Sequence, residues 1–436
     1  MTSAAVNETL SRVGRGTPMG ELMRQYWIPA CMSSELVADG PPLRVLLLGE
    51  KLIAFRDSAG RVGMFDHRCP HRCASLYFGR NEENGLRCVY HGWKFDTEGN
   101  CLDMPNLPSP QRFSAKVKAT AYKVAERNGL VWTYLGPRAE PPPLPLLEPV
   151  MVPSAETRII LMQRECNWLQ ALEGDVDTSH FGFLHGGRVD PTDVDPASPS
   201  RFAYLDRAPE YHVKDTEWGT MYAAYRDADP GEVYYRLAHF VFPFWTLIPD
   251  GPLREYILGE AWVPMDDTHT MMVQVAWNRT RPSARTLKDG APVPGLSPNW
   301  TFLPNTNDWF GRWRHVGNRA NDYLLDREAQ RSLSYTGLEG VALQDQAITE
   351  SMGEIVDRTL EHLAPSDLMI TRTRRRMLLA ARAFAKNGAP PPGADNPEIH
   401  RRVRSGDFVA PKTLSWLEAY AEELRHAERP ALEPAE

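Results

Sequence analysis

The amino-acid sequence predicts an α+β protein, in which a small all-β domain precedes a larger domain of antiparallel sheet and C-terminal helices. Two patterns indicate this class. Between residues 41 and 134, short apolar runs alternate with Gly-containing turns, which is typical of a small antiparallel β-domain. Beyond residue 150, a series of apolar strands gives way to helical patterns.

Four segments are expected along the chain. Residues 1–40 are predicted to be an N-terminal helical segment, because residues 19–27 have a short amphipathic helix pattern that Pro29 stops. The small β-domain is expected at 41–140, a stiff proline-rich linker at 141–150 and the larger domain at 151–436. The strands predicted in the small domain are 45–48, 52–55, 62–65, 86–90, 93–95, 117–126 and 130–134.

The larger domain is predicted to place its strands before its last three helices. A helix is also expected within 167–185, and residues 285–305, rich in Pro, Gly and Asn, should form a long loop over a pocket. The predicted strands are 158–164, 211–213, 221–225, 233–248, 256–262 and 270–277. The predicted C-terminal helices are 322–330, 345–358 and 368–386.

Composition narrows the classes of function. The net charge of −7 argues against nucleic acid as a partner. No apolar run approaches the roughly 18 residues that span a bilayer, and the first 16 residues lack a secretory signal. We therefore expect a cytoplasmic protein with no membrane partner. Six cysteines in 436 residues do not make a disulfide scaffold.

Two loops each pair one cysteine with one histidine, as Cys69-Pro-His71 and Cys88-Val-Tyr-His91. Two Cys and two His suit either a tetrahedral zinc site or a Rieske [2Fe–2S] centre, in which Cys and His hold different irons. Unliganded residues are the third alternative. Because each loop has Cys before His, each loop can span two irons, whereas classical zinc fingers pair Cys with Cys. The pattern favours the iron–sulfur centre.

A second metal site is predicted in the stretch 167–185. Asp177 and His180 would lie about 60° apart on a helix, whereas His180 and His185 would be about 140° apart unless the helix breaks at Gly182. Two histidines and one carboxylate form the facial triad of non-haem Fe(II) enzymes, which leaves positions open for O2. Asp345, which opens a predicted helix, is a candidate for the acid. The other candidates are Glu173, Asp175, Asp177, Glu350, Glu354 and Asp357.

A CxH…CxxH cluster followed by DxxHxxxxH resembles the oxygenase (alpha) subunit of Rieske non-haem iron aromatic ring-hydroxylating oxygenases. The resemblance covers nearly the whole chain. Finer features resemble the phthalate 4,5-dioxygenase branch, which includes aryl O-demethylases. These features are GTPMGELMRQYW, NWLQALEGDVDTSH and QDQAITE.

The resemblance implies a helix-grip catalytic domain and two metal centres. Asp177 matches the acid that links a mononuclear-iron histidine to a cluster histidine. The residues implied as cluster ligands are Cys69, His71, Cys88 and His91, and those implied as ligands of the mononuclear Fe(II) are His180, His185 and Asp345. The implied assembly is a homotrimer or stacked hexamer, in which one subunit's cluster serves the next subunit's iron.

The implied function is that of the terminal oxygenase. It would use O2, and electrons from NAD(P)H through a ferredoxin or FMN-type reductase, to hydroxylate or oxidatively O-demethylate an aromatic carboxylate. The alternative is a Rieske electron carrier or a binding module with a non-catalytic second site, against which His180 and His185 argue. The arginines that could pair with a substrate carboxylate are Arg207, Arg226, Arg236 and Arg254. The basic run 372–376 is either a solvated helix face or a docking site for an acidic reductase.

Overall fold

The computed structural model describes residues 2–430 of the chain. Met1 and residues 431–436, at the ends of the first and last predicted segments, lie outside the described residues. Within them, eighteen strands form four antiparallel sheets, and there are eight α-helices, of which α3, α4, α7 and α8 contact the largest sheet. None of the helices of residues 2–430 combines the length and apolar character needed to cross a lipid bilayer.

The first part of the chain forms two short helices and three small sheets. The strands β1, β10 and β9 form one sheet, β2, β3 and β4 another, and β5 to β8 a third. The helices are α1 (Ala4–Ser11) and α2 (Pro18–Met23). The strands are β1 (Trp27–Met32), β2 (Leu43–Leu47), β3 (Glu50–Arg56), β4 (Val62–Asp66), β5 (Arg80–Glu82), β6 (Gly85–Arg87), β7 (Lys94–Phe95), β8 (Cys101–Asp103), β9 (Lys123–Arg127) and β10 (Leu130–Tyr134).

The rest of the chain forms an eight-stranded sheet with helices. Its order is β11-β17-β16-β15-β14-β13-β12, and β18 pairs with β14. The strands are β11 (Thr157–Arg164), β12 (Glu210–Asp215), β13 (Gly219–Asp227), β14 (Glu232–Val241), β15 (Trp245–Leu247), β16 (Leu258–Pro264), β17 (Thr270–Trp277) and β18 (Gly406–Pro411). The helices are α3 (Trp168–Val176), α4 (Arg201–Leu205), α5 (Arg327–Ser332), α6 (Val341–Ser351), α7 (Leu368–Asn387) and α8 (Trp416–His426).

Several elements differ from the sequence prediction. The predicted helix 322–330 is a 3-10 segment over Arg319–Leu324 followed by α5, because Asp322 and Tyr323 have positive φ. The predicted strands 86–90 and 117–126 are shorter, as β6 and β9. Three further differences follow, and two of them involve proline. The segment 1–40 is not helical throughout, since β1 lies within it and pairs with β10; the ladder shifts register between Pro29 and Cys31, where Pro29 cannot donate a hydrogen bond. The predicted strand 233–248 is two strands, because Pro243 has no N–H for the ladder. The predicted helix 345–358 runs over 341–351 and ends before Gly353, whose φ is +96°.

The two largest hydrophobic clusters of residues 2–430 lie in different parts of the fold. The larger core joins α1, α2 and β1 to the eight-stranded sheet and its helices. A smaller core inside the first part of the chain contains Cys69 and Cys88 beside Phe55, Phe65 and Trp93. The predicted loop 285–305 contains no helix and no strand, and many of its residues line a cavity of about 720 Å³.

Candidate metal centres

The first candidate centre is built by two loops that follow β4 and β6. Each loop turns back on its cysteine: the N–H of Cys73 donates to the carbonyl of Cys69, and the N–H of Gly92 donates to that of Cys88, both at 2.9 Å. Gly92 has a φ of +76°, and a Cβ on it would lie 2.6 Å from Pro105 Cγ. Only glycine fits this position, so the sequence fixes the turn that carries the second histidine.

The four side chains of these loops form a cysteine pair and a histidine pair. Cys69 and Cys88 are buried, and the hydrogen bond between them lowers the pKa of the Cys88 thiol. The ring centres of His71 and His91 are 4.4 Å apart, and His91 Nδ1 is buried without a hydrogen-bond partner among residues 2–430. A tetrahedral zinc site, with bonds of about 2.0–2.3 Å, would hold all four donors within about 4 Å of each other. In the described part of the chain, the only group with three donor atoms within 4.8 Å of one another lies elsewhere. The separated pairs suit two irons.

That other group consists of His180, His185 and Asp345. The two Nε2 atoms are 3.0 Å apart, and Asp345 Oδ1 is 3.2 Å from His185 Nε2 and 3.6 Å from His180 Nε2. Donors at right angles around an ion at about 2.1 Å lie about 3.0 Å apart. The three atoms therefore fit one face of an octahedral ion and leave its other positions open, as a non-haem Fe(II) triad requires. Although burial by itself raises the pKa of Asp345, the two histidines lower it far below its usual range.

A hydrogen bond behind the triad orients His185. Its Nδ1 lies 2.7 Å from Gln344 Oε1, and Gln344 Nε2 is in turn held by the carbonyls of Gly295 and Leu338. Because the amide oxygen can only accept, Nδ1 carries the proton and Nε2 presents its lone pair to the triad. Sequence reasoning missed Gln344; its position next to Asp345 in the Gln-Asp-Gln motif was the available signal.

The backbone around the histidines breaks earlier than predicted. Helix α3 ends at Val176, so Asp177 is its C-terminal cap and His180 lies in a short 3-10 turn. Asp177 Oδ2 is nevertheless 3.7 Å from His180 Nδ1, on the side of the ring away from the triad. Burial raises the pKa of Asp177, but its interactions with His180 and Ser179 lower it overall, so the side chain is a carboxylate.

The two other carboxylates of this stretch do not reach the triad atoms. Glu173 is buried between Arg358 and Arg374, whose Nη2 atoms lie 2.9 and 2.8 Å from Glu173 Oε2. Asp175 Oδ2 accepts hydrogen bonds from Thr246 and from Trp262 in the sheet. Neither residue supplies a donor atom to the group around His180.

Of the four arginines considered for a substrate carboxylate, Arg236 alone lines the pocket that contains the triad. Arg254 pairs with Glu423 near the surface, Arg226 donates to the carbonyl of Asp206, and Arg207 donates to the carbonyl of Gly187. The pocket also contains Arg285, which sequence reasoning missed although it lies in the predicted pocket loop. The pocket and the 720 Å³ cavity share several lining residues, Arg285 and Asp345 among them. This volume is ordinary for a small-molecule site.

The basic run on α7 is not a free cationic face. Arg374 is buried between Glu173 and Glu361, and Arg372 pairs with Asp215. Arg376 donates to the carbonyl of Thr216. Arg374 and Arg372 thereby join α7 to α3 and to β12, whereas Arg375 is exposed. Three arginines of the run therefore serve packing, and docking of an acidic reductase stays a prediction.

Comparisons with known proteins agree with this geometry. Residues 26–121 match the Rieske [2Fe-2S] domain family, and residues 133–436 match the family described as LigXa C-terminal domain like. The chain is 50% identical to the 3-chlorobenzoate-3,4-dioxygenase oxygenase subunit of Comamonas testosteroni, over 96% of this chain and 98% of that one. It is 38% identical to the phthalate 4,5-dioxygenase oxygenase subunit of Pseudomonas putida, over 97% of this chain and 95% of that one.

The fold is shared with a solved structure, the terminal oxygenase of carbazole 1,9a-dioxygenase from Nocardioides aromaticivorans. The TM-score is 0.54 at 19% identity, over 87% of this chain and 97% of that one. Because the matches extend through the larger domain, they identify an oxygenase and not an electron carrier or a binding module. The chain therefore belongs to the Rieske non-haem iron oxygenases, as the oxygenase component that carries a [2Fe–2S] cluster and a mononuclear iron and receives electrons from NAD(P)H through a separate reductase.

Proposed function

We propose that this oxygenase hydroxylates the ring of an aromatic carboxylate whose anionic group binds beside the triad. The observation that carries the proposal is the pair of arginines in the triad pocket. Arg236 Nη1 and Arg285 Nη1 are both buried and without a hydrogen-bond partner among residues 2–430. A buried guanidinium N–H without an acceptor is costly, and a carboxylate supplies two acceptor oxygens in a matching geometry.

The other bonds of these arginines keep the two free Nη1 atoms in place. Arg236 Nε donates to Thr178 Oγ1 at 3.0 Å, and Arg285 pairs with Asp250. Arg236 also lies over the ring of Phe181, with its Cζ 4.7 Å from the ring centre. The relative at 50% identity is named for a chlorinated benzoate, which combines one carboxylate with one ring. Ring dihydroxylation is therefore the reaction we favour over O-demethylation.

We assign the cluster to Cys69, His71, Cys88 and His91, and the mononuclear iron to His180, His185 and Asp345. When bound, the iron supplies the site at which O2 is activated with electrons from the cluster. The residues around the iron orient its ligand and the substrate. Gln344 keeps the proton on His185 Nδ1, and Arg236 and Arg285 bind the carboxylate and so hold the ring beside the triad. The apolar side chains of the pocket, Ile248 and Val341 among them, limit water around the ring.

We infer that the working unit is a homotrimer, alone or as stacked hexamers, in which Asp177 links His180 to a cluster histidine of the adjacent subunit. Asp177 lies beside the ring of His180 opposite the triad, where a second histidine can be accepted. Two apolar side chains next to His91, Val89 and Tyr90, are 57% and 54% exposed. Exposed apolar side chains beside a redox centre are expected where another subunit covers them.

The proposal is tested with purified oxygenase, a ferredoxin or FMN-type reductase and NADH, supplied with benzoate, 3-chlorobenzoate, phthalate and a methoxybenzoate. The uncharged amide of each acid is the matched control. We expect diol products from one or more acids and at least tenfold lower kcat/KM for the amides. Equal turnover of acid and amide contradicts the role of the arginines, and formaldehyde from the methoxybenzoate without any diol indicates O-demethylation instead.

A further inference from the structure

Two carboxyl groups lie side by side in the wall of the cavity. Asp175 is on α3 and Glu260 is on β16, and both line the cavity. Asp175 Oδ2 accepts hydrogen bonds from Thr246, which is the cross-strand partner of Glu260, and from Trp262, which is two residues after Glu260 on the same face of β16, so the two acids are neighbours. Glu260 is 5% exposed, whereas Asp175 is partly open to the cavity and also lines the triad pocket with His180 and Asp345. The two acids thus connect the interior of the sheet to the space in front of the triad.

The hydrogen-bond donors around Asp175 and Glu260 are neutral, so they compensate little of the negative charge that the two acids would carry. Asp175 Oδ2 accepts from Thr246 Oγ1 at 2.6 Å and from Trp262 Nε1 at 2.7 Å. Glu260 Oε1 accepts from Gln274 Nε2 at 2.6 Å. These donors are neutral, and each side chain receives them on only one of its two oxygens.

The cations around the two acids can compensate one negative charge on the pair, but not two. Arg164 is the cation that acts on both acids, but its guanidinium lies over the ring of Trp262 and donates to Thr349. The other charged groups that line the cavity are Arg158, Arg281, Asp345 and the pair of Arg285 with Asp250, and His180 lies in the triad pocket. Burial and then the repulsion of Asp175 raise the pKa of Glu260 well above its ordinary value, and burial raises that of Asp175. Two carboxylates in contact cannot both ionise readily.

We propose that Asp175 and Glu260 share one proton at neutral pH and that Asp175 delivers it to oxygen derived from O2 during turnover. Addition of both atoms of O2 to a ring as a dihydrodiol consumes two electrons and two protons. The reductase supplies the two electrons. The acid pair supplies one proton, as its O–H bond breaks and an O–H bond forms on oxygen, and water that exchanges with solvent supplies the other. The pair is then left with two negative charges, which favours its reprotonation from water in the cavity.

Infrared spectroscopy of the resting oxygenase, with both metals bound and no substrate, tests the shared proton. Wild type should show the C=O band of a buried protonated carboxyl at neutral pH, and alkaline titration should remove it. The double variant, Asp175→Asn with Glu260→Gln, removes both acids and should lose the band. Each single variant leaves one buried acid beside an amide, and it should shift the frequency of the band and the pH at which alkaline titration removes it. Glu361→Gln is the matched control: it replaces a partly exposed carboxylate that pairs with Arg374 outside the cavity, and it should keep the band.

Turnover tests the delivery of the proton. General acid catalysis contributes about 10²–10⁴-fold, so each variant should slow single-turnover product formation by about 100-fold and lose the alkaline limb of the wild-type pH profile. Iron content and the visible spectrum of the cluster should not change, which separates the effect from loss of fold, and two independent variants protect the test if one fails to fold.

Two outcomes overturn the proposal. Persistence of the infrared band in the double variant, or single variants that leave its frequency and pH dependence at wild-type values, means that the pair shares no proton. Variants with unchanged rates and pH profile mean that it delivers none. The delivery step rests on the proposed function, but the infrared measurement needs no substrate. A failure of the aromatic acid panel is therefore distinguishable from a failure of the acid pair.

Discussion

The buried ion pairs of Glu173 with Arg358 and Arg374 should contribute strongly to the stability of the fold. Glu173 joins α3 to α7 through Arg374, and to the segment after α6 through Arg358. Arg358 is fully buried, and its remaining hydrogen bonds are to the neutral side chains of Asn7 and Ser11. Glu173→Gln keeps the shape of the side chain but removes the charge that compensates both guanidinium groups.

The size of the effect follows from burial. Loss of one partner of a buried ion pair costs about 3–5 kcal/mol, because the other charge remains buried and uncompensated. Arg374 retains Glu361 in the variant, so the cost falls chiefly on Arg358. We therefore expect Glu173→Gln to lower the free energy of unfolding by about 3 kcal/mol. Glu361→Gln, whose carboxylate is 22% exposed, should lower it by less than about 1 kcal/mol.

Urea unfolding followed by tryptophan fluorescence measures both variants, since Trp168 on α3 is fully buried. Although burial by itself raises the pKa of Glu173, Arg358 and Arg374 lower it overall. Its stabilisation is therefore present above the ordinary glutamate pKa of about 4.3 and is lost as the pH falls. The difference between wild type and Glu173→Gln should shrink below that pH. A double variant, Glu173→Leu with Arg358→Met, should regain most of the loss. A Glu173→Gln effect no larger than that of Glu361→Gln refutes the reasoning.

Three further predictions concern the metal centres and the substrate. Asp177→Asn should keep both metals bound yet lower turnover by at least 100-fold; loss of iron in metal analysis would instead mean that Asp177 is a ligand. Gln344→Ala should weaken iron binding by about 10–100-fold, measured by metal content after dialysis against a chelator, because His185 loses the partner that fixes its tautomer. Arg285→Gln should raise KM for an aromatic acid by at least tenfold with a smaller change in kcat, whereas Arg254→Gln, a change outside the cavity, should leave both constants at wild-type values.

Periodicity predicted most of the strands, and spacing singled out the candidate metal ligands. The strand patterns at 130–134 and 270–277 were correct at both ends, because each is an apolar run bounded by turn residues. The cluster motif could be recognised from the spacing of its cysteines and histidines, because each loop is local in the sequence and does not depend on the rest of the fold. Asp345 was one of seven candidate acids in the sequence, and only the family resemblance singled it out, because a residue 160 positions after His185 is brought to it by tertiary structure alone.

What the sequence could not predict is the environment of each charged group. Arg236 and Arg254 both have apolar neighbours in the sequence. Arg236 nevertheless lines the triad pocket, whereas Arg254 forms an ion pair at the surface. Arg285 lies in a loop without a periodic pattern, so the sequence does not predict the direction of its side chain. Burial and pairing arise from long-range packing, and these decide whether a charge binds substrate, stabilises the fold or faces water.

The three carboxylates at the end of α3 show how one short stretch acquires three roles. At about 100° per residue, Asp175 lies about 200° around the helix from Glu173, so the two residues face opposite sides. Glu173 faces α7 and its arginines, and Asp175 faces Thr246 and Trp262 in the sheet. Asp177 lies one residue beyond the helix, where its backbone leaves the helical conformation and its carboxylate turns to His180. A shift of one residue in the end of α3 would move Asp177 away from His180 without changing any side chain. For the proposed role of Asp177, the position at which this helix ends therefore matters as well as the identity of the acid.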